Sequence, residues 1–185
     1  MKKTAPSPAT RWAAFLRGIN LGGRTVKMAD LKKAMESAGF RDVKTIGASG
    51  NVLFDAPESE VGALAKKIEP ALQKDLGHAI TVVVRPVAAL RALLESAPFK
   101  SVKVTPDVRL YVTFLAAPVK PKSGLRIPYT SPQKNLSLLK LTDTELFSVV
   151  DLAAGGQSIE VMDLIDKEFG KGVTTRNWNT IQKLV

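Results

Sequence analysis

The stretch Ile80-Thr81-Val82-Val83-Val84-Arg85 decides the fold. Five of its six residues are β-branched, the side chains that pack best on a pleated surface, so it reads as a strand. Immediately before it, Val61–Leu76 places Val61, Leu64, Ala65, Ile68 and Leu72 on one helical face, and Gly77 closes that helix. Pro70 inside it predicts a kink or an early stop. Earlier still, Val43–Ile46 and Asn51–Phe54 read as two strands, joined through a turn or bulge at Gly47-Ala48-Ser49-Gly50. Met28, Leu31, Met35 and Ala38 recur at helical steps, with Asp30 in the first turn and Gly39 as a C′ residue. Arg11–Arg17, a short apolar run bracketed by arginines, suits a buried strand, and the glycine-rich segment Gly18–Arg24 is a loop. The order is β-α-β-β-α-β, the ferredoxin-like or split βαβ unit.

Forward of Arg85 the pattern continues with less regularity. Val87, Leu90, Leu93 and Leu94 make a helix that Pro98 stops, and Phe99–Asp107 reads as a connector. Arg109–Leu115 alternates as a strand. Ala116–Gln133, with four prolines, is mostly loop. Leu136–Leu141 and Glu145–Val150 form a hairpin, Ser158–Phe169 is a helix, and Asn177–Val185 is a final short helix carrying Trp178 and Ile181 on one face. The fold class is α+β with two plait-like lobes, the second degraded or permuted. The expected organisation is a disordered tail over 1–10, an N-terminal ferredoxin-like lobe over 11–98 and a C-terminal α+β lobe over 99–185.

With 185 residues the chain fits one or two small domains. It has no cysteine, which excludes disulfides, thiolate metal sites and thiol catalysis, and a single histidine, His78, cannot build a metal cluster. No cofactor and no metal are expected. The opening ten residues have a basic start and no apolar core, so they do not read as a secretory signal, and the expected compartment is the cytoplasm with no membrane partner. Formal net charge is +10. Its distribution matters more than its sum: residues 1–29 hold six cations, and Val108–Thr142 holds Arg109, Lys120, Lys122, Arg126, Lys134 and Lys140. Neither of these two windows contains an acid, which makes both electropositive candidates.

Three segments resemble one family when taken together. They are Phe15-Leu16-Arg17-Gly18-Ile19-Asn20-Leu21-Gly22-Gly23, Ser49-Gly50-Asn51-Val52-Leu53-Phe54 and Thr175-Arg176-Asn177-Trp178-Asn179-Thr180. Their pattern is similar to that of a bacterial domain-of-unknown-function family whose members open with F-L-R-G-I-N-V-G-G and close with T-x-R-N-W-N-T. The resemblance implies a cytosolic α+β protein with two ferredoxin-like lobes, intertwined or separate, and implies no activity. The chain departs from the family pattern at Ile46-Gly47-Ala48 and at Ser158-Ile159-Glu160, where a lysine is missing from the late helix.

Several motifs admit both a chemical and a structural reading. In the first loop, the amides of Gly18, Gly22 and Gly23 can converge on an anion between Arg17 and Arg24, with Asn20 beside them; the same glycines can simply make a turn. Gly155-Gly156-Gln157-Ser158 precedes a helix, and there Ser158 is expected as a plain N-cap rather than an anion ligand. In Thr174–Thr180, any of Thr174, Thr175 and Asn177 can cap the last helix and Trp178 packs, leaving Arg176, Asn177 and Asn179 for a polar site. Ser49 and Asn51 would orient a ligand. Phe15 and Phe54 invite comparison with RNA-recognition plaits, but the aromatic signature is absent and core packing is the expected role. His78, after Gly77, is expected beside the carbonyls of a helix end.

Three functional classes follow. The first is a binding module for an anionic, phosphate-bearing partner, nucleic acid included, using Arg17, Arg24, Lys27 and Arg176. The second is an enzyme acting on a small phosphorylated or carboxylated metabolite in an interlobe groove. The third is a protein-interaction module that uses an exposed sheet edge. Oligomeric state stays open.

Overall fold

A computed structural model describes residues 9–19 and 25–185. The chain is α+β and divides into two compact units, one running to Arg91 and the other covering Ala92–Lys183.

The first unit contains β1 (Ala9–Leu16), α1 (Met28–Ser37), β2 (Arg41–Ile46), β3 (Asn51–Pro57), α2 (Val61–Leu76) and β4 (Val82–Pro86). Its sheet has the order β2-β3-β1-β4, and every pairing is antiparallel. The predicted βαββαβ order is therefore present, with β1 and β3 at the centre. β1 starts at Ala9, two residues ahead of the expected start, because Ala9 and Thr10 pair with Pro57 and Ala56.

The core of this unit follows from alternation on the strands and periodicity on the helices. Leu31, Ala34 and Met35 of α1 and Leu64, Ile68 and Leu72 of α2 pack on Trp12, Ala14, Leu16, Val52, Phe54, Val82 and Val84. Pro70 does not end α2, which continues to Leu76. Buried Ile68 and Leu72 flank the proline, and their packing outweighs the hydrogen bond it cannot donate. A bulge interrupts the β2–β3 register between Arg41 and Lys44, where Asp42 has φ 48°. Arg11 Nη1 bridges this irregularity, donating to Asp42 O and to Asp55 Oδ1, each at 2.8 Å.

α3 (Val87–Glu95) follows β4 directly. The second unit then contains β5 (Val108–Leu115), β6 (Tyr129–Thr130), β7 (Leu136–Leu141), β8 (Glu145–Asp151), α4 (Ser158–Phe169), β9 (Val173–Asn177) and α5 (Trp178–Gln182). Its sheet has the order β6-β7-β8-β5-β9. Setting aside the two-residue edge strand β6, the chain order and the neighbour order repeat those of the first sheet. The second half is thus degraded and not permuted: the first crossover helix is replaced by the loop 116–135.

Two sequence expectations are corrected in this unit. Val173–Asn177 is a strand, and the last helix is shorter than expected, covering Trp178–Gln182. β9 forms because Val173–Asn177 pairs with β5, from Val173 against Leu115 to Asn177 against Tyr111. Val161, Ile165 and Phe169 of α4 pack on Tyr111, Leu115, Leu138, Leu146, Val150 and Val173.

The loop replacing the missing helix is held by one buried acid. Glu168 accepts from the backbone N–H of Ser123 at 3.0 Å and from its hydroxyl at 2.8 Å, while its carbonyl accepts from Lys122 N at 2.9 Å. The Ser123 N–H, followed by its hydroxyl, holds the Glu168 carboxyl below the usual carboxylate range, with smaller help from Lys167 and Lys122 and against the effect of burial. A lowered acid pKa stabilises the fold above the unfolded value, about 4.3, and that stabilisation is lost as pH falls through the lower folded value. Glu168→Ala is expected to cost about 1–3 kcal/mol by removing the two hydrogen bonds that Ser123 gives to a charged carboxylate. Trypsin cleavage after Lys122 and Arg126 at neutral pH should quicken; an unchanged cleavage rate contradicts the clamp.

Candidate functional site

The residues nominated from sequence fall in both units. Arg17 directly follows β1 in the first unit, half-buried, and its backbone N–H donates to Thr81 O at 2.8 Å. Gly18 is exposed at φ 68°, a conformation that favours glycine. Asn20, Gly22, Gly23 and Arg24 lie outside the described residues. Ser49 is exposed in the β2–β3 turn. Asn51 is buried, and its side-chain amide donates to Ile46 O at 3.0 Å, tying that turn together.

Arg176, Asn177 and Asn179 belong to the second unit. Arg176 lies on β9 with only 8% of its surface exposed. Its Nη1 donates to Thr174 Oγ1 and to Thr175 O, each at 2.8 Å. Burial pushes its pKa down to about 10, so it stays charged at neutral pH. Such a guanidinium organises the strand from inside and is not presented to a partner in solution. Asn177 is the cap of α5: its Oδ1 accepts from Asn179 N at 2.9 Å. Asn179 is exposed on α5.

At the start of α4 the N–H groups of Gln157 and Glu160 are already engaged within the turn. Gln157, not Ser158, is the N-cap, and it forms a reciprocal capping box with Glu160. Ser158 instead meets Tyr111, with its Oγ 2.6 Å from the phenol oxygen, linking α4 to β5. The expected N-cap role of Ser158 is overturned because Tyr111 claims its hydroxyl. His78 Nδ1 lies 3.0 Å from Leu76 O at the end of α2. Phe15 and Phe54 are fully buried, so neither ring is open to a nucleobase. Among the described residues, no three of His, Asp and Glu assemble as a metal-binding group, and no helix is long and apolar enough to cross a membrane.

What sequence reading underrated is the surface of the second unit. Lys120, Lys122 and Arg126 are exposed on the clamped loop, Lys134 is exposed at φ 58° in the turn before β7, and Lys140 is exposed on β7. Arg109 is half-buried, its Nη1 donating to Pro106 O. A second feature had no sequence signal. Phe99, Phe147 and Trp178 form an aromatic row, with Phe99 edge-on to both neighbours at centroid distances of 5.7 Å and 5.1 Å. A cleft of about 420 Å³ opens beside Phe99 and Trp178, and Asn179 is one of its lining residues.

Comparison with known proteins places this architecture. A structure described as a conserved bacterial protein from Streptococcus pneumoniae superposes with a TM-score of 0.65 at 20% identity, covering 96% of this chain and 97% of its own. That likeness concerns the fold. An unknown protein from Galdieria sulphuraria aligns at 13% identity over 92% of this chain and 98% of its own, with a TM-score of 0.27, and adds nothing to the fold. No curated protein matches the chain. The model of a family described as "Protein of unknown function (DUF1697)" matches residues 9–147, three quarters of the sequence and both of its first two motifs. The chain belongs to the DUF1697 family.

Proposed function

We propose that the protein is a binding module for an anionic, phosphate-bearing partner, nucleic acid being the polyanion that such a surface most often meets. One observation carries this reading. The stretch Val108–Thr142 holds six cations, and five of them, Lys120, Lys122, Arg126, Lys134 and Lys140, are exposed. A solvated lysine costs little to bring to a phosphate, and a loop already tethered by Glu168 has less freedom left to lose on binding. Arg17 and Lys27, at the two sides of residues 20–24, are further candidate contacts in the first unit. Arg176 is not, because its guanidinium is committed inside its own strand.

Phosphate contacts release counterions, so affinity must depend steeply on salt. With four such contacts to a single strand, binding is expected to weaken about fiftyfold between about 50 and about 200 mM salt. Fluorescence anisotropy of a labelled oligonucleotide of mixed sequence measures this. Absence of binding at the lower salt would remove the reading.

A further inference from the structure

The aromatic row divides two clefts that differ in chemistry. On one side, Phe99 and Trp178 line the cleft of about 420 Å³, together with the apolar side chains of Leu94, Pro98, Val104 and Leu110. Val104 is 63% exposed at its rim, a large apolar side chain held in water. Asn179 and Gln182 of α5 supply amides there. On the other side, Phe147 lines a cleft of about 360 Å³ with Ser96, Ser101, Lys100 and Lys140. Glu145 also borders this second cleft, and its carboxylate accepts from the hydroxyls of Thr142 and Thr144 in the β7–β8 turn.

Ala97, Pro98 and Lys100 line both clefts. Ala97 holds φ 45°, a left-handed conformation that alanine rarely adopts. It is fixed there by turns on either side, Ala97 N to Leu94 O at 3.1 Å and Lys100 N to Ala97 O at 3.0 Å. The segment that separates the apolar cleft from the cationic one is thus locally strained, and Lys100 stands at the junction. Strained backbone of this kind is kept where surrounding structure needs the segment in one shape.

From this arrangement we propose that the paired clefts bind a small aromatic phosphate. The flat apolar body lies beside Phe99, Trp178 and Val104, and the phosphate lies at Lys100 and Lys140. The first cleft falls in the usual size range of small-ligand sites, roughly 300–1,000 Å³, and has their mostly apolar lining with few polar groups. Two lysines match a phosphate dianion, while an apolar ring matches what the other cleft leaves open. This site shares Lys140 with the proposed polyanion surface but uses none of the loop cations Lys120, Lys122 and Arg126.

Trp178 is its own reporter. The chain has two tryptophans, and Trp12 Nε1 makes no hydrogen bond among the described residues, so Trp12→Phe removes the second emitter without orphaning a partner. The probe is phenyl phosphate, titrated into that variant while Trp178 emission is followed, with calorimetry on the unsubstituted protein as the parallel measurement. The expected result is saturable binding at least about tenfold tighter than for phenol or inorganic phosphate. Lys100→Ala should weaken it about tenfold by removing a charge-assisted contact. The Lys120→Glu, Lys122→Glu, Arg126→Glu protein should keep it, which separates this site from the oligonucleotide surface. No saturable binding by either measurement overturns the proposal. So does equal affinity for inorganic phosphate, or indifference to Lys100→Ala.

Discussion

Gly156→Ala is expected to lower the unfolding free energy by about 3 kcal/mol, in the range of severe overpacking. A Cβ at this position would lie 2.6 Å from Asn135 O, 2.6 Å from Asp151 O and 2.9 Å from Val150 Cγ1. The two oxygens are backbone atoms, and both are already committed: Asp151 N donates to Asn135 O, and Gly156 N to Asp151 O, each at 2.9 Å. The start of β7, the end of β8 and the approach to α4 meet at this point, so relief requires moving elements and not a side chain. Two other glycines of this unit serve as controls. Gly155 is at φ 81° with open space around it, so Gly155→Ala should cost about 1–2 kcal/mol through conformation alone. Gly172 has neither constraint, and Gly172→Ala should be nearly neutral. Urea unfolding of the three variants tests the ranking; a Gly156→Ala protein as stable as Gly172→Ala contradicts the packing argument.

That glycine shows how far sequence reading reached. Gly155-Gly156 marks the approach to a helix, and the helix is there, Ser158–Phe169. The two purposes of the pair were not legible, because one is a backbone angle and the other a collision with residues 135, 150 and 151. Elements whose signal is local were readable: the alternation in Arg109–Leu115, the helical faces of α1 and α2, and Asn177 among the possible caps of the last helix. β9 was missed although Val173, Thr174 and Thr175 are all β-branched. The polar residues that follow drew the segment toward a chemical reading, and only its pairing with β5 shows it to be a strand.

The same division applies to the candidate site. The cations of Val108–Thr142 are visible in the sequence, but their exposure depends on the loop held by Glu168, 45 residues from Ser123. The aromatic row draws one residue each from positions 99, 147 and 178, in three separate elements or turns, and no periodicity links them. Arg176 illustrates the converse. Its place in a polar motif suggested a ligand contact, whereas its burial, its bonds to Thr174 and Thr175 and its lowered pKa describe a residue used within the strand.

The exposed cations of the clamped loop are the proposed phosphate contacts, and simultaneous reversal of three of them tests their role most directly. Lys120→Glu, Lys122→Glu, Arg126→Glu changes the charge by six at exposed positions. The stability change at Lys120 and Arg126 should stay within about 0.5 kcal/mol, whereas Lys122→Glu also removes a charge that supports the Glu168 clamp, so the folded state of the triple variant is checked before binding is read. Each reversal removes a phosphate contact and adds a repulsion within a Debye length of its neighbours, about 10 Å at 0.1 M salt. Anisotropy at about 50 mM salt should show the affinity for a mixed-sequence oligonucleotide falling at least a hundredfold, roughly, together with a shallower salt dependence. A folded triple variant that binds as tightly as the unsubstituted protein, with the same salt dependence, would contradict the assignment of the anion-binding surface to this loop.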